Sequence, residues 1–153
     1  MKDIKYAHTN ILSKDWKKLA QFYIDVFGCK PIFPERDIKG QWIDKMTNIK
    51  DVHITGIHLQ LPGYKDGPTL EIFSYNKPVE RGVKMQINET GFTHIAFRVN
   101  NVQKYVDEVL KHGGRFYGEI IETEIKDVGK LNAVYMRDPE DNIIEIQSWK
   151  QVR

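Results

Sequence analysis

A chain of 153 residues is long enough for one domain, or for two small halves sharing a core. Its 41% hydrophobic and 29% charged residues are the balance of a globular fold, and no run approaches the ~18 apolar residues of a membrane span. The net charge of +2 is scattered, and its densest basic patch, Lys14, Lys17 and Lys18, is interrupted by Asp15, too sparse for a nucleic-acid footprint. Cys29 is the single cysteine, so neither an intrachain disulfide nor a cysteine metal cluster is open to the chain. With no apolar core at the N-terminus to direct export, a reducing cytoplasm is the expected compartment, with no membrane or nucleic-acid partner.

In chain order, residues 4–12 read as a strand. Ser13 is placed to cap a helix, because its hydroxyl can accept a free N–H of the first turn. From Trp16 onward, Trp16, Leu19, Ala20, Tyr23, Val26 and Phe27 share one helical face. Gly28 stands where a left-handed residue closes a helix. Strands are expected near 30–33 or slightly later, at 53–61 and at 69–75. Between residues 34 and 50 the expectation is a strand around Trp42 and a long loop.

Residues 76–90 read as a connector. A second strand–helix pair then follows, with a strand over 91–99, a cap at Asn100 or Asn101, and a helix. Val102, Tyr105, Val106, Val109 and Leu110 form the apolar face of that helix, and Gly113-Gly114 stops it. Strands are expected at 115–125, 131–137 and 143–149. Asp138-Pro139-Glu140-Asp141-Asn142 is a turn by composition.

The two halves repeat each other. Tyr6-Ala7-His8-Thr9-Asn10-Ile11 aligns with Phe92-Thr93-His94-Ile95-Ala96-Phe97 at an offset of 86, which also matches Gly28 to Gly114. Leu70-Glu71-Ile72-Phe73-Ser74-Tyr75 aligns with Ile144-Glu145-Ile146-Gln147-Ser148-Trp149 at an offset of 74. Both matches in the same order point to an internal duplication. The chain is thus expected to be one domain of two modules, 1–76 and 91–150, joined by a linker over 77–90, each module a strand, a helix and three strands.

Each half carries one histidine in its first strand and one glutamate in its last. A lone strand histidine is more often structural, and a lone strand glutamate more often faces water. Four such residues, His8, Glu71, His94 and Glu145, in matching places of a repeat instead point to a metal. A carboxylate between two aliphatic residues, as Glu145 is between Ile144 and Ile146, is costly to bury unless paired or bound to an ion. Two imidazoles with two carboxylates suit one divalent ion: Zn, Ni, Co, Mn or Fe(II). Positions left open on the ion could take water or a substrate oxygen, while a carboxylate moves a proton. His53, His58 and His112 have no partner in the repeat. His58, beside Leu59 in a strand, could line the same cavity, though a core or surface role is the expected one, and His112 ends a helix, where positive charge is favoured.

At this point the sequence resembles the vicinal oxygen chelate superfamily, which includes glyoxalase I, methylmalonyl-CoA epimerase, bleomycin resistance proteins and extradiol dioxygenases. The matching segments are His8-Thr9-Asn10-Ile11, Phe22-Tyr23-Ile24-Asp25-Val26-Phe27-Gly28, Leu70-Glu71-Ile72, Thr93-His94-Ile95-Ala96-Phe97-Arg98-Val99, and the run from Asp138 through Ile143-Ile144-Glu145-Ile146. The resemblance implies an α+β fold of two tandem βαβββ modules, forming a cup-shaped mixed sheet with the helices outside. It implies His8, Glu71, His94 and Glu145 as metal positions, in the order of bacterial glyoxalase I, with Glu145 and Glu71 as candidate catalytic bases. It further implies a homodimer acting on a small-molecule substrate as a metal-dependent lyase or isomerase. Leu12 and Tyr75 stand where bacterial glyoxalase I carries the arginine and asparagine that hold glutathione, so the resemblance leaves the substrate open.

Two other functions compete. One is a non-enzymatic, resistance-type protein that holds a small molecule between aromatic walls such as Tyr6, Trp42, Phe73, Tyr75, Tyr135 and Trp149. The other, an Fe(II) dioxygenase, ranks last, because four protein ligands leave little room for both substrate and oxygen.

Overall fold

The computed structural model describes residues 3–79 and 82–151. Met1, Lys2, Glu80, Arg81, Val152 and Arg153, in the expected termini and linker, lie outside the described residues. The fold is α+β, with three helices and two mixed sheets of four and five strands among the described residues. The chain divides into two compact units, 1–80 and 81–153.

The first unit runs β1 (His8–Leu12), α1 (Trp16–Phe27), β2 (Lys30–Lys39), α2 (Gln41–Thr47), β3 (His53–Gln60) and β4 (Thr69–Tyr75). Its sheet order is β1-β4-β3-β2, with β1 parallel to β4 and the other pairs antiparallel. The first strand begins at His8 rather than at residue 4, because its partner β4 begins at Thr69, after Pro68. The helix cap is Asp15, not Ser13: the Asp15 carboxylate accepts the Lys18 N–H at 3.3 Å. Ser13 is still tied to the sheet. Its N–H donates to the Phe73 carbonyl at 2.8 Å, and its carbonyl accepts the Ser74 hydroxyl at 2.7 Å.

Helix α1 buries Leu19, Ala20, Phe22, Tyr23, Val26 and Phe27, and Gly28 ends it at φ 69°, as its sequence position predicts. The helix packs on β3 and β4, whose buried Ile57, Leu59, Leu70 and Ile72 alternate with residues of the opposite face. The strand expected around Trp42 is instead the short helix α2. Ile43 is its one buried residue, packed with Val52, Ile54 and Phe73, while Trp42 is 59% exposed. The Asp44 carboxylate accepts the N–H groups of Asp51 and Val52, both at 3.0 Å, which folds the chain back after the helix. Seven residues are too few to show a helical period in sequence, and β2 runs on to Lys39 instead of stopping near Phe33.

The second unit runs β5 (His94–Arg98), α3 (Val102–Lys111), β6 (Arg115–Phe116), β7 (Ile121–Ile125), β8 (Gly129–Arg137) and β9 (Ile143–Lys150). The path is β5-β9-β8-β6, with β7 also on β8, and β5 is parallel to β9. Asn101 caps α3 by accepting the Lys104 N–H at 3.0 Å. Val102, Val106 and Val109 are buried, whereas Leu110, expected on the same face, is 42% exposed. The single strand expected over 115–125 is two strands, parted where the Tyr117 and Gly118 N–H groups both turn to the Tyr135 carbonyl. The turn after β8 is organised by fully buried Asp138, whose carboxylate accepts the Glu140 and Asn142 N–H groups and the Asn142 amide. The segment before β5 is held to this unit: Arg137 donates to the Met85 carbonyl at 2.7 Å, and the Ile87 N–H donates to the Tyr117 hydroxyl at 3.1 Å.

Candidate metal centre

In each unit the first strand and the last lie side by side in parallel. Asn10 is opposite Glu71, and Ala96 is opposite Glu145. His8 is two residues before Asn10, and His94 two before Ala96, so each histidine projects from the same face as its glutamate. The Nε2 of His8 lies 3.3 Å from Oε2 of Glu71, and the Nε2 of His94 lies 3.3 Å from Oε2 of Glu145. The first unit thus brings His8 and Glu71 together, and the second His94 and Glu145.

That distance suits a shared ion. Two ligands each ~2.1 Å from one metal stand ~3.0 Å apart at a right angle and ~3.4 Å apart at a tetrahedral one. The donor chemistry suits it too. Glu71 is only 8% exposed, and among the described residues no Lys or Arg pairs with it. A buried carboxylate facing imidazoles is a site that calls for a cation. Among the described residues no three or more His, Cys, Asp or Glu side chains form a metal-holding group, so each unit offers a pair rather than a finished site.

The surroundings of the two pairs differ. Glu71 carries two further contacts: Asn10 Nδ2 donates to Oε2 at 3.1 Å, and His58 Nε2 lies 2.9 Å from Oε1. His58 faces Glu71 directly across the β3–β4 ladder, and its other nitrogen lies 3.0 Å from the Thr69 hydroxyl. The ring also meets Phe73 edge to face, with centroids 5.6 Å apart. Burial, outweighing the attraction of Glu71, lowers the His58 pKa below its ordinary value. In the second unit Tyr135 occupies the place opposite Glu145 and packs edge to face on His94, with centroids 5.2 Å apart. Burial first, and then the charge of Glu145, raise the Tyr135 phenol above its usual range. The Thr93 hydroxyl lies 3.0 Å from Nδ1 of His94, which leaves Nε2 turned to Glu145.

Of the two roles open to His58, the core or surface role expected of it does not hold: the register of β3 on β4 sets it against Glu71. Its parity in the strand was visible in sequence, but the register was not. His53 pairs with Asp37 at 2.7 Å, and His112 bonds the Glu108 carbonyl at the end of α3. Of the aromatic residues weighed as cavity walls, Phe73 is buried in the core beside α2, and Tyr6 is 65% exposed.

The fold recurs in solved structures. A glyoxalase family protein from Bacillus cereus superimposes with a TM-score of 0.82 at 15% identity, over 97% of this chain and 96% of that one. A family enzyme of the glyoxalase/bleomycin resistance protein/dioxygenase type from Burkholderia phytofirmans PsJN matches with a TM-score of 0.58 at 17% identity, over 96% and 100%. A domain of the same description from Frankia sp. EAN1pec matches at 0.59 and 15% identity, over 96% and 98%. At these identities the likeness is one of fold. No curated protein sequence matches the chain. The family model described as Glyoxalase/Bleomycin resistance protein/Dioxygenase superfamily matches residues 5–146, nearly the whole chain, and to that superfamily the chain belongs.

Proposed function

We propose that the protein is a divalent-metal-dependent lyase or isomerase of the glyoxalase type, with His8, Glu71, His94 and Glu145 as the ligands of one ion. The observation that carries this reading is the repeated pair: one imidazole and one carboxylate at 3.3 Å in each unit, on matching strands. A bound divalent ion supplies a Lewis acid that polarises a substrate oxygen and so acidifies the neighbouring C–H bond. The side chains do the rest. Glu71, held at both oxygens, keeps its place. Among the described residues Glu145 has one close polar partner, His94, and is the carboxylate with freedom to take a proton from one carbon and return it to the next. The neutral, protonated Tyr135 beside it keeps that side of the site free of a second negative charge. The working form in this reading is a cytoplasmic homodimer.

The test is reconstitution of metal-free protein with Ni, Co, Mn or Zn, read by metal content and by proton exchange on 2-oxo and hemithioacetal substrates. One ion per chain is expected, with both His8→Ala and Glu145→Gln falling well below that. Wild-type stoichiometry in either variant would show that the pairs do not share an ion. Tight small-molecule binding by metal-free protein without turnover would favour the resistance-type alternative.

A further inference from the structure

We propose that His58 is a positioning residue for the metal ligand Glu71, an inference that rests on the metal-dependent reading above. Three observations converge on it. First, the β3–β4 register sets His58 directly opposite Glu71, and its Nε2 lies 2.9 Å from Oε1, the oxygen that His8 does not approach. Second, Nδ1 lies 3.0 Å from the Thr69 hydroxyl. The tautomer that satisfies both contacts has the Thr69 hydroxyl donating to Nδ1 and Nε2–H donating to Glu71. Third, the ring is wedged edge-on against Phe73, itself packed with Ile43, Val52 and Ile54, so the imidazole is held from behind by the core.

The consequence is an orientation of the carboxylate. With Oε1 occupied by His58, the face of Oε2 bordered by His8 and Asn10 is the one presented to an ion. Hydrogen-bonded support of this kind fixes a ligand's rotamer before the ion arrives, and its removal costs ~10–100-fold in metal affinity. Nothing similar supports the second carboxylate: Tyr135 stands in the matching place, but among the described residues its hydroxyl makes no hydrogen bond to Glu145.

The test is Co(II) titration of the metal-free protein, by competition with a chromophoric chelator, with the visible spectrum of the bound ion as a second readout. His58→Phe keeps the ring that packs on Phe73 and removes the donor, and His58→Gln restores an N–H near the position of Nε2. His58→Phe is expected to weaken Co(II) binding ~10–100-fold and to alter the spectrum, with the melting temperature of the metal-free protein within a few degrees of wild type. His58→Gln is expected to return both affinity and spectrum close to wild type. Wild-type affinity in His58→Phe overturns the proposal while leaving the metal site standing. A spectrum in His58→Gln as altered as in His58→Phe also overturns it, since the imidazole would then itself be a ligand. No Co(II) binding by the wild-type protein overturns the metal-dependent reading and the role of His58 with it.

Discussion

The two units descend from one pattern and have spent their sequence differently. Both place a histidine on the first strand and a glutamate on the last, and both lay those strands in parallel beside a helix. The first unit inserts α2, whose Ile43 packs on Ile54 and Phe73, residues of the same sheet face as Glu71 and His58. The second has no such helix among its described residues and carries the β7–β8 hairpin, with every residue of β7 exposed. Among the described residues the first glutamate has three close polar partners, His8, Asn10 and His58, and the second has one, His94. The repeated His–Glu pair is thus the same in both units at 3.3 Å, while the polar partners around the two glutamates differ.

The largest expected break in this comparison is at Gly56. It sits two residues before His58 and opposite Phe73, where a Cβ would collide with the Phe73 ring and the Ile72 carbonyl. The matching position in the second unit is Ala133, opposite Gln147. Gly56→Ala should cost about 3 kcal/mol in urea unfolding, near the upper end for overpacking. Ala133→Gly should cost about 1 kcal/mol, the entropy penalty of glycine in a strand. Equal costs would mean that α2 and Phe73 do not confine the first unit as described.

Next come the glutamates in the metal-free protein. Glu71→Gln turns an amide N–H₂ toward the Asn10 amide or the His58 N–H, and should destabilise by about 1–2 kcal/mol through the mismatched donors. Among the described residues Glu145→Gln meets only His94, which can adapt its tautomer, and should change stability by less than about 0.5 kcal/mol. A reversed order would undo the assignment of Glu71 as the fixed carboxylate.

Smaller still is a pair of serines. The Ser74 hydroxyl accepts the Trp16 N–H at 3.3 Å and donates to the Ser13 carbonyl at 2.7 Å, tying β4 to the start of α1. Ser148, its counterpart in the repeat, makes no such tie to α3 among the described residues. Ser74→Ala should lower stability by about 1 kcal/mol and Ser148→Ala by a few tenths, about the cost of a surface change. Thermal melts of the two variants side by side decide it.

Cys29 gives the most delicate reading. It is 2% exposed, and burial pushes its thiol up to about 12. At pH 8 only ~1 thiol in 10,000 is then ionised, so a disulfide reagent should label the native protein only as the first unit opens. Because the only cysteine lies in that unit, its labelling rate follows one half of the molecule alone. Rapid stoichiometric labelling of native protein would contradict the burial of Cys29.

Much of this was legible in sequence, for a physical reason. Helix α1 and its glycine stop, the order of strands and the His–Glu pairs all rest on local periodicity or on residues repeated at matching spacing. What escaped depends on register. Whether His58 meets Glu71 is decided by how many residues the loop over 61–68 consumes, and the corresponding turn over 138–142 is shorter, so the repeat could not supply it. Helix α2 escaped because only one of its residues is buried. The displacement of the helix cap from Ser13 to Asp15 has the same root. Serine suits a cap and also a strand end, and only the bonds to Phe73 and Ser74 show which role it fills.

The parallel pairing of first and last strands also governs how the site comes into being. Asn10 and Glu71 bond across 61 residues of chain, and no hairpin or helix within a unit holds both members of a His–Glu pair. Closing so long a loop is an entropic cost met only when the intervening strands and helix have ordered. His8 and Glu71 in the first unit, and His94 and Glu145 in the second, therefore become neighbours only once the strands of their unit have ordered. An ion held by these side chains, as proposed above, would bind only the folded chain and by mass action draw the equilibrium toward it. Stripping such an ion would accordingly lower the melting temperature of the loaded protein.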